Sequence, residues 1–234
     1  MRKYKLSVIT VVYNVSEAIV PTIESIKRIK TTNVEYVVID GASTDDTMSV
    51  LNQYDDVIDV LVSEKDRGIY DAMNKGIAHS HGEWIIFQNC GDEMLSIPWR
   101  ILENTTDDVA VVCGCVDDGT GKIMKPMYGK ALYYGNTIPH QALFYRKAFN
   151  PDFDISFKIF ADYDLNLKML KRGYKIKLIE DVIAIHALDG ISMDKKHDKE
   201  VYRVVYKELG TYRMLNLFLY WKWTGLIRIL KNIC

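Results

Sequence analysis

The chain has few cysteines, no long apolar run, no glycine-rich phosphate loop and almost no net charge. Each shortage closes off a class of protein. The four cysteines among 234 residues are Cys90, Cys113, Cys115 and Cys234. Cys113 and Cys115 lie in an apparent strand, with no second Cys or His pair at zinc-finger spacing, so they read as buried free thiols in a reducing cytoplasm. A net charge of −1 supplies no basic field for nucleic acid. No window reaches the roughly 18 apolar residues that span a bilayer. The turn after the first apolar run, VVYNVSEA, lacks G-x-G-x-x-G, which argues against a dinucleotide oxidoreductase. It also lacks the phosphate loop expected of a nucleotidyltransferase. No Pro/Gly/Ser linker or internal repeat divides the sequence.

What is present is a strand–helix alternation. Arg2, Lys3 and Lys5 before LSVITVVY imitate a secretory signal, but the run stops at Tyr13-Asn14 without a small-residue cleavage site. Leu6–Tyr13 reads instead as a strand covered on both faces. A helix is expected over Ser16–Ile29, with Ile19, Ile23, Ile26 and Ile29 inward and Pro21 marking its true first turn. Glu35–Asp40 is the second strand. Ser43 or Thr44 is the expected cap of a helix to about Gln53, with Asp45 and Asp46 near its positive end. Strands follow at Asp59–Ser63 and Trp84–Asn89, around a helix over Ile69–Ala78. Such alternation gives parallel crossovers and helices on both faces of the sheet.

Ligands in these sheets gather at the carboxyl ends of the strands. That rim would hold Tyr13, Asn14, Asp40, Glu64, Asp66 and Asp92. An acid after an apolar strand is suited to a hard divalent cation carrying a diphosphate. Beyond Asp92 the pattern changes. Strands are expected at Val109–Val116, Lys122–Tyr128, Ala142–Tyr145, Lys175–Ile179 and Val182–His186, with a helix over Asp162–Arg172.

The segments SVITVVYN, EYVVIDGASTDDT, SEKDRGIYDAMNKGI, GEWIIFQNCGD, PHQALFYR and ADYDLNLKML, in this order, resemble the family 2 glycosyltransferases. Within them, they are similar to bacterial O-antigen, capsule and colanic-acid enzymes. The resemblance implies a GT-A fold, an α/β architecture with a mainly parallel sheet and helices on both faces. One catalytic domain would cover 1–192, with a nucleotide-sugar half (1–92) and an acceptor half (93–192), followed by a helical extension, 193–234. It implies a nucleotide-diphosphate sugar donor, typically a UDP-sugar, a Mn2+ or Mg2+ cofactor, and inversion at the sugar carbon.

Residue by residue, the resemblance implies that Thr10, Val12, Tyr13 and Asn14 line the nucleotide pocket. Asp40 would accept from the base with Ser43 nearby, Asp66 would sit by the base or ribose, and Lys75 by the phosphates. Gly91 would belong to the nucleotide-sugar-binding residues. Asp92 would hold the metal as the last acid of a run in which the family's other acid is absent, with Glu93 able to assist. Asp162 would be the catalytic base, against two alternatives: that it caps its helix, or that Asp164 is the base. His186 reads either as a further metal ligand or as a structural histidine. His140 and Gln141 would organise acceptor or sugar. His79 and His81 read as a solvated helix end, and Tyr128, Tyr133 and Tyr134 as sugar-stacking or packing aromatics.

From Leu209 onward there is no acidic residue, while Arg213, Lys222, Arg228 and Lys231 remain. Leu215, Leu219, Leu226, Leu230 and Ile233 share one helical face beside Trp221 and Trp223. This fits a helix in a membrane interface, and equally a helix packed on the domain or on a second subunit. The expected setting is cytoplasmic, at the inner face of the cell membrane if the tail binds it, with a lipid-linked saccharide acceptor. Oligomeric state stays open. The competing reading is a catalytically silent sugar-nucleotide-binding or scaffold protein.

Overall fold

The computed structural model describes residues 4–186 and 198–231, with side chains to 224. The expected boundary at 192, Cys234, and the side chains of Leu226, Leu230 and Ile233 lie outside the described residues. β1 (Leu6–Val12) and β2 (Val34–Asp40) are buried along their whole length, as their apolar β-branched runs require. β3 (Val60–Ser63) and β4 (Trp84–Phe87) complete a parallel set in the order β3-β2-β1-β4.

Strand β8 (Leu143–Arg146) then joins β4 antiparallel and turns the sheet mixed. Next to it come β6 (Val109–Asp117) and β9 (Lys175–Ile185), mutually parallel, while the short β5 (Glu93–Met94) closes the edge and β7 (Ile123–Met124) hangs on β6. β9 is one strand where two are expected. Register shifts opposite Cys113–Val116 absorb the Glu180-Asp181 irregularity without ending the strand.

Helices cover both faces. α1 (Val20–Ile29) follows a 3-10 turn at Ser16–Ile19 and carries Pro21 in its first turn. Ile19, Ile23 and Ile26 are fully buried against β1 and β2 side chains, each contributing about 1.5–3 kcal/mol. α2 is short (Thr47–Leu51), and α4 (Trp99–Glu103) lies on the same face. α3 (Ile69–His79) and α5 (Ala161–Lys171) pack on the other face. A Cβ on Gly76 of α3 would stand 2.4 Å from Ile9 Cγ2, so only glycine permits this approach to β1.

His79 and His81 are exposed at the end of α3, and His81 also reaches inward. Its amide and Nδ1 each lie 2.7 Å from the buried Glu35 carboxylate, which also accepts from the Ser7 hydroxyl at 2.5 Å. A charge inside the sheet is held only by such partners.

α6 (Asp198–Lys231) is broken at Gly210, whose φ of 82° is non-helical. Val201, Val204, Val205 and Leu217 are buried in the core. Glu200 accepts from the Lys158, Ile159 and Phe160 amides at 2.8, 2.7 and 3.0 Å. The described part of the tail is therefore fastened to the domain along one face. Its opposite face leaves Tyr212, Leu219 and Trp223 at 72%, 61% and 61% exposure. No helix among the described residues is long and apolar enough to cross a membrane.

Candidate active site

Two groups of side chains gather at the carboxyl ends of the parallel strands. The first surrounds the turn after β2. Asp40 is fully buried. Its carboxylate accepts from the Ser43 hydroxyl at 2.5 Å, the Ser43 amide at 3.1 Å and the Ser63 hydroxyl at 2.6 Å. Most of its lone pairs are thus committed to closing the turn, beneath the rim on which it was expected to meet a base. Ser43 does not cap α2, because its hydroxyl also accepts the Asn14 amide at 2.8 Å. Asn14 adopts φ 50° and takes the Thr44 amide on Oδ1 at 2.8 Å.

Tyr13 stands exposed above this turn. Asp66 leans over Gly41, where an added Cβ would meet its Oδ2 at 2.4 Å, and Asp66 Oδ1 accepts the Gly68 amide at 2.9 Å. Tyr13, Gly41 and Asp66 therefore form one open shelf.

Three of the expected residues have partners or burial of their own in the fold. Thr10 and Val12 are buried rather than facing the shelf. The Thr10 hydroxyl donates to the Gln88 carbonyl at 2.7 Å and ties β1 to the end of β4. Lys75 Nζ is 2.9 Å from Glu64 Oε1 and donates to the Lys65 carbonyl at 2.8 Å. It ties α3 to the segment after β3 through the Glu64 side chain and the Lys65 carbonyl.

The second group is a continuous polar line. Gly91, with φ 93°, makes the sharp turn that presents Asp92. Thr22 of α1 fixes this turn: its hydroxyl accepts the Gly91 amide at 3.1 Å and donates to the Asp92 carbonyl at 2.8 Å. Asp92 Oδ1 stands 2.8 Å from His186 Nδ1, and Gln141 Nε2 lies 2.7 Å from the same nitrogen and 3.5 Å from that oxygen. One residue earlier, His140 Nε2 lies 3.2 Å from Asn89 Nδ2, while its Nδ1 stands 3.8 Å from Asp162 Oδ2. The buried Gln88 amide donates to the Gln141 carbonyl at 2.7 Å and holds the His140–Ala142 turn against β4.

Asp162 lies in the first turn of α5, whose N-cap position is taken by Phe160 rather than by Asp162 itself. Its Oδ2 accepts from Asn136 Nδ2 at 2.7 Å, and the Tyr70 hydroxyl sits 3.2 Å from Oδ1. Burial raises its pKa above the usual carboxylate range, and the opposing influence of His140, Tyr70 and Asn136 does not cancel that effect. Tyr70 is raised well above a free phenol, by burial first and the Asp162 charge second. Asp164 is no competitor: it is fully buried, 2.6 Å from Lys168 Nζ and 2.8 Å from Lys207 Nζ.

Asp92 and His186 suit a hard divalent ion. A carboxylate and an imidazole face each other at hydrogen-bond distance, and the nearby Asn89 Oδ1 is buried with no hydrogen-bond partner. Two protein donors leave room for diphosphate oxygens and water. Glu93 does not assist, since its carboxylate pairs with Arg28 at 3.3 Å at the edge of the sheet. Among the described residues no three His, Cys, Asp or Glu side chains are grouped so as to hold a metal ion by themselves. The aromatic group is used for packing: Tyr134 against Tyr220 at 4.6 Å, Tyr133 under Arg213 at 4.5 Å, and Tyr128 on the Tyr174 carbonyl.

Tyr70, Asn89, Asn136 and Asn166 escaped sequence reasoning. Tyr70 shares the inner stripe of α3 with Met73, which reads as core. Asn136, four residues before His140, gave only a weak loop signal.

A parallel β3-β2-β1-β4 set continued by the antiparallel β8 and the β6–β9 pair, with helices on both faces, is a GT-A architecture. The chain belongs to the family described as Glycosyl transferase family 2, whose profile matches residues 7–161. A Mycobacterium bovis PGL/p-HBAD biosynthesis glycosyltransferase is 26% identical over 180 residues, covering 69% of this chain and 68% of that protein. S. aureus TarS 1-349 in complex with UDP-GlcNAc superposes with a TM-score of 0.68 at 20% identity, over 87% of this chain and 66% of that one. Against a longer TarS chain, the match spans only 43% of its length. Glucosyl-3-phosphoglycerate synthase from Mycobacterium tuberculosis, in complex with Mn2+, UDP and glucosyl-3-phosphoglycerate, gives a TM-score of 0.64 at 16% identity, over 88% and 80%. These structural likenesses establish the fold.

Proposed function

We propose that this glycosyltransferase is an inverting enzyme. It moves a sugar from a nucleotide-diphosphate donor, a UDP-sugar, to a hydroxyl of a lipid-diphosphate-linked saccharide in surface polysaccharide assembly. The observation that carries this reading is the succession of polar side chains from His186 and Asp92, through Gln141 and its chain neighbour His140, to Asp162, the last separation being 3.8 Å. On this reading a pair suited to a cation and a carboxylate suited to a proton act on one bound donor and acceptor. The complexes of similar folds with UDP-GlcNAc, and with Mn2+ and UDP, support the choice of donor.

Asp92 and His186 are the residues that would hold Mn2+ or Mg2+, which when bound offsets charge growing on the departing diphosphate. The remaining chemistry belongs to the protein. Asp162 accepts the proton of the acceptor hydroxyl while that oxygen bonds to the anomeric carbon. The bond from that carbon to the diphosphate breaks, and its electron pair leaves on the phosphate oxygen. A single displacement inverts the carbon. A carboxylate whose pKa is raised by burial is a better base for this step than a solvated one. Tyr13 and Asp66 form the shelf for base and ribose, and His140 and Gln141 orient sugar and acceptor.

Residues 1–192 act as the catalytic unit and 193–234 as its helical extension. The outward aromatic stripe of α6, in an acid-free stretch, supports peripheral contact with the inner face of a membrane. One observation favours a silent binding protein instead: Asp92 is the lone acid of Asn89–Asp92, and Glu93 is turned away.

The deciding experiment incubates the purified chain with nucleotide sugars, with and without Mn2+. It follows thermal stabilisation and product mass on a lipid-diphosphate saccharide. Metal-dependent stabilisation by a UDP-sugar and transfer of one hexose are expected. Binding without any turnover would favour the silent protein, and no response to any donor would contradict both readings.

A further inference from the structure

The loop between β7 and β8 reaches across to α5 at Asn136, beside the bond from the Tyr163 hydroxyl to the Leu132 carbonyl. Asn136 Nδ2 donates to Asp162 Oδ2 at 2.7 Å, and Asn136 Oδ1 accepts from Asn166 Nδ2 at 2.9 Å. Asn166 is fully buried and lies one helical turn beyond Asp162, on the same face of α5. One amide therefore bridges positions i and i+4 of the helix, using both its donor and its acceptor. With both amides reversed, Asn136 Oδ1 would confront a carboxylate oxygen, an arrangement compatible only with the protonated acid.

The loop cannot easily drift from this contact. Leu132 and Ile138 are buried on either side of it. The Met127 amide donates to the Thr137 carbonyl at 3.0 Å, and Trp221 Nε1 of α6 donates to the Tyr134 carbonyl at 3.1 Å.

We infer that Asn136, oriented by Asn166, is the positioning residue for Asp162. It occupies Oδ2 with a donated hydrogen bond, holds the carboxylate ionised, and leaves Oδ1 to take up a proton. The inference rests on Asp162 being the base. Oδ1 faces the Tyr70 hydroxyl, which also donates to the Ile159 carbonyl, so it is less firmly committed than Oδ2. The other titratable groups around the carboxylate are His140, on the turn before β8, and Tyr145, whose own pKa is raised by burial and by the Asp162 charge.

The sign is fixed by the geometry. A donor to the ionised form favours that form, so removing it moves the Asp162 midpoint upward. The test follows the side-chain 13C signal of Asp162, assigned by its loss in Asp162→Asn, through a pH titration of the full chain. In Asn136→Ala the midpoint should rise by about one pH unit. In Asn166→Ala, which keeps the loop amide but frees its orientation, it should rise by less. The acid limb of the transfer rate should move by the same amounts, with the donor KM unchanged and most of the high-pH rate retained.

A part that merely packs would lower the rate without moving the limb. Unchanged midpoints in folded variants, judged by thermal melting, would overturn the inference. A shifted midpoint in a parent that transfers no sugar would leave the positioning intact and reject the catalytic reading instead.

Discussion

His140 and Gln141, neighbours in one turn, face different carboxylates: His140 Nδ1 stands 3.8 Å from Asp162 Oδ2, and Gln141 Nε2 stands 3.5 Å from Asp92 Oδ1. Carboxylates seventy residues apart in sequence are thereby joined through a single short segment. That segment is held by Gln88, at the end of the innermost parallel strand.

The first prediction concerns the cation end. Asp92→Asn should lose the part of donor affinity that depends on Mn2+, while the weak binding seen in EDTA stays about the same. Calorimetric titration with UDP in both conditions reads the difference. Equal losses with and without metal would show that Asp92 acts on the fold rather than on a cation.

At the other end, Asp162→Asn should bind donor like the parent. It should transfer sugar on the order of 10²–10⁴ times more slowly, the range for loss of a general base. Steady-state rates and donor Kd on the same preparation check this. A near-normal rate would remove Asp162 from the chemistry.

The α5–α6 clamp sets an acid-dependent part of stability. Lys207 lies 2.7 Å from Asp154 and 2.8 Å from Asp164, and it holds the Asp154 carboxyl well below the usual range. A depressed carboxylate stabilises the fold above its unfolded pKa, near 4, and that stability is lost as pH falls through the folded value. Lys207→Met should therefore melt lower at pH 7, and the two melting curves should converge toward pH 2. A constant gap across that range would mean the lysine acts through packing alone.

Gly76→Ala tests the approach of α3 to the sheet. The added methyl meets Ile9 Cγ2 at 2.4 Å, and overpacking of this kind costs about 1–3 kcal/mol. Urea denaturation should show a lower midpoint with an unchanged slope.

Much of the parallel half was legible because its signals are local. The runs in β1 and β2 and the isoleucine spacing of α1 dictate their structure with little help from elsewhere. The antiparallel entry of β8 and the continuity of β9 were not legible, because pairing partners settle them and Glu180-Asp181 reads as a turn. Ser43 illustrates the same limit: it suits a cap, but Asp40 and Asn14 take its hydroxyl first. At the site, Asp92 and His186 stand out as polar residues at the ends of apolar strands, whereas Asp162 is singled out only by the family resemblance. Tyr70 looks like core, and Asn136 acquires its partners only when the loop folds back on α5.

The outward face of α6 invites a separate measurement. Leu219→Glu with Trp223→Glu should leave the melting temperature and donor binding unchanged, and reduce co-sedimentation with phosphatidylglycerol vesicles several-fold. Vesicle binding that survives both changes would place any lipid contact elsewhere.

The most direct test of the shared cleft is paramagnetic broadening by Mn2+ added together with UDP, read on amide signals. Broadening that falls jointly on Asp92, Gln141, His140 and Asp162 is the expected result. Broadening near Asp92 that spares Asp162, or none that depends on UDP, would contradict the account.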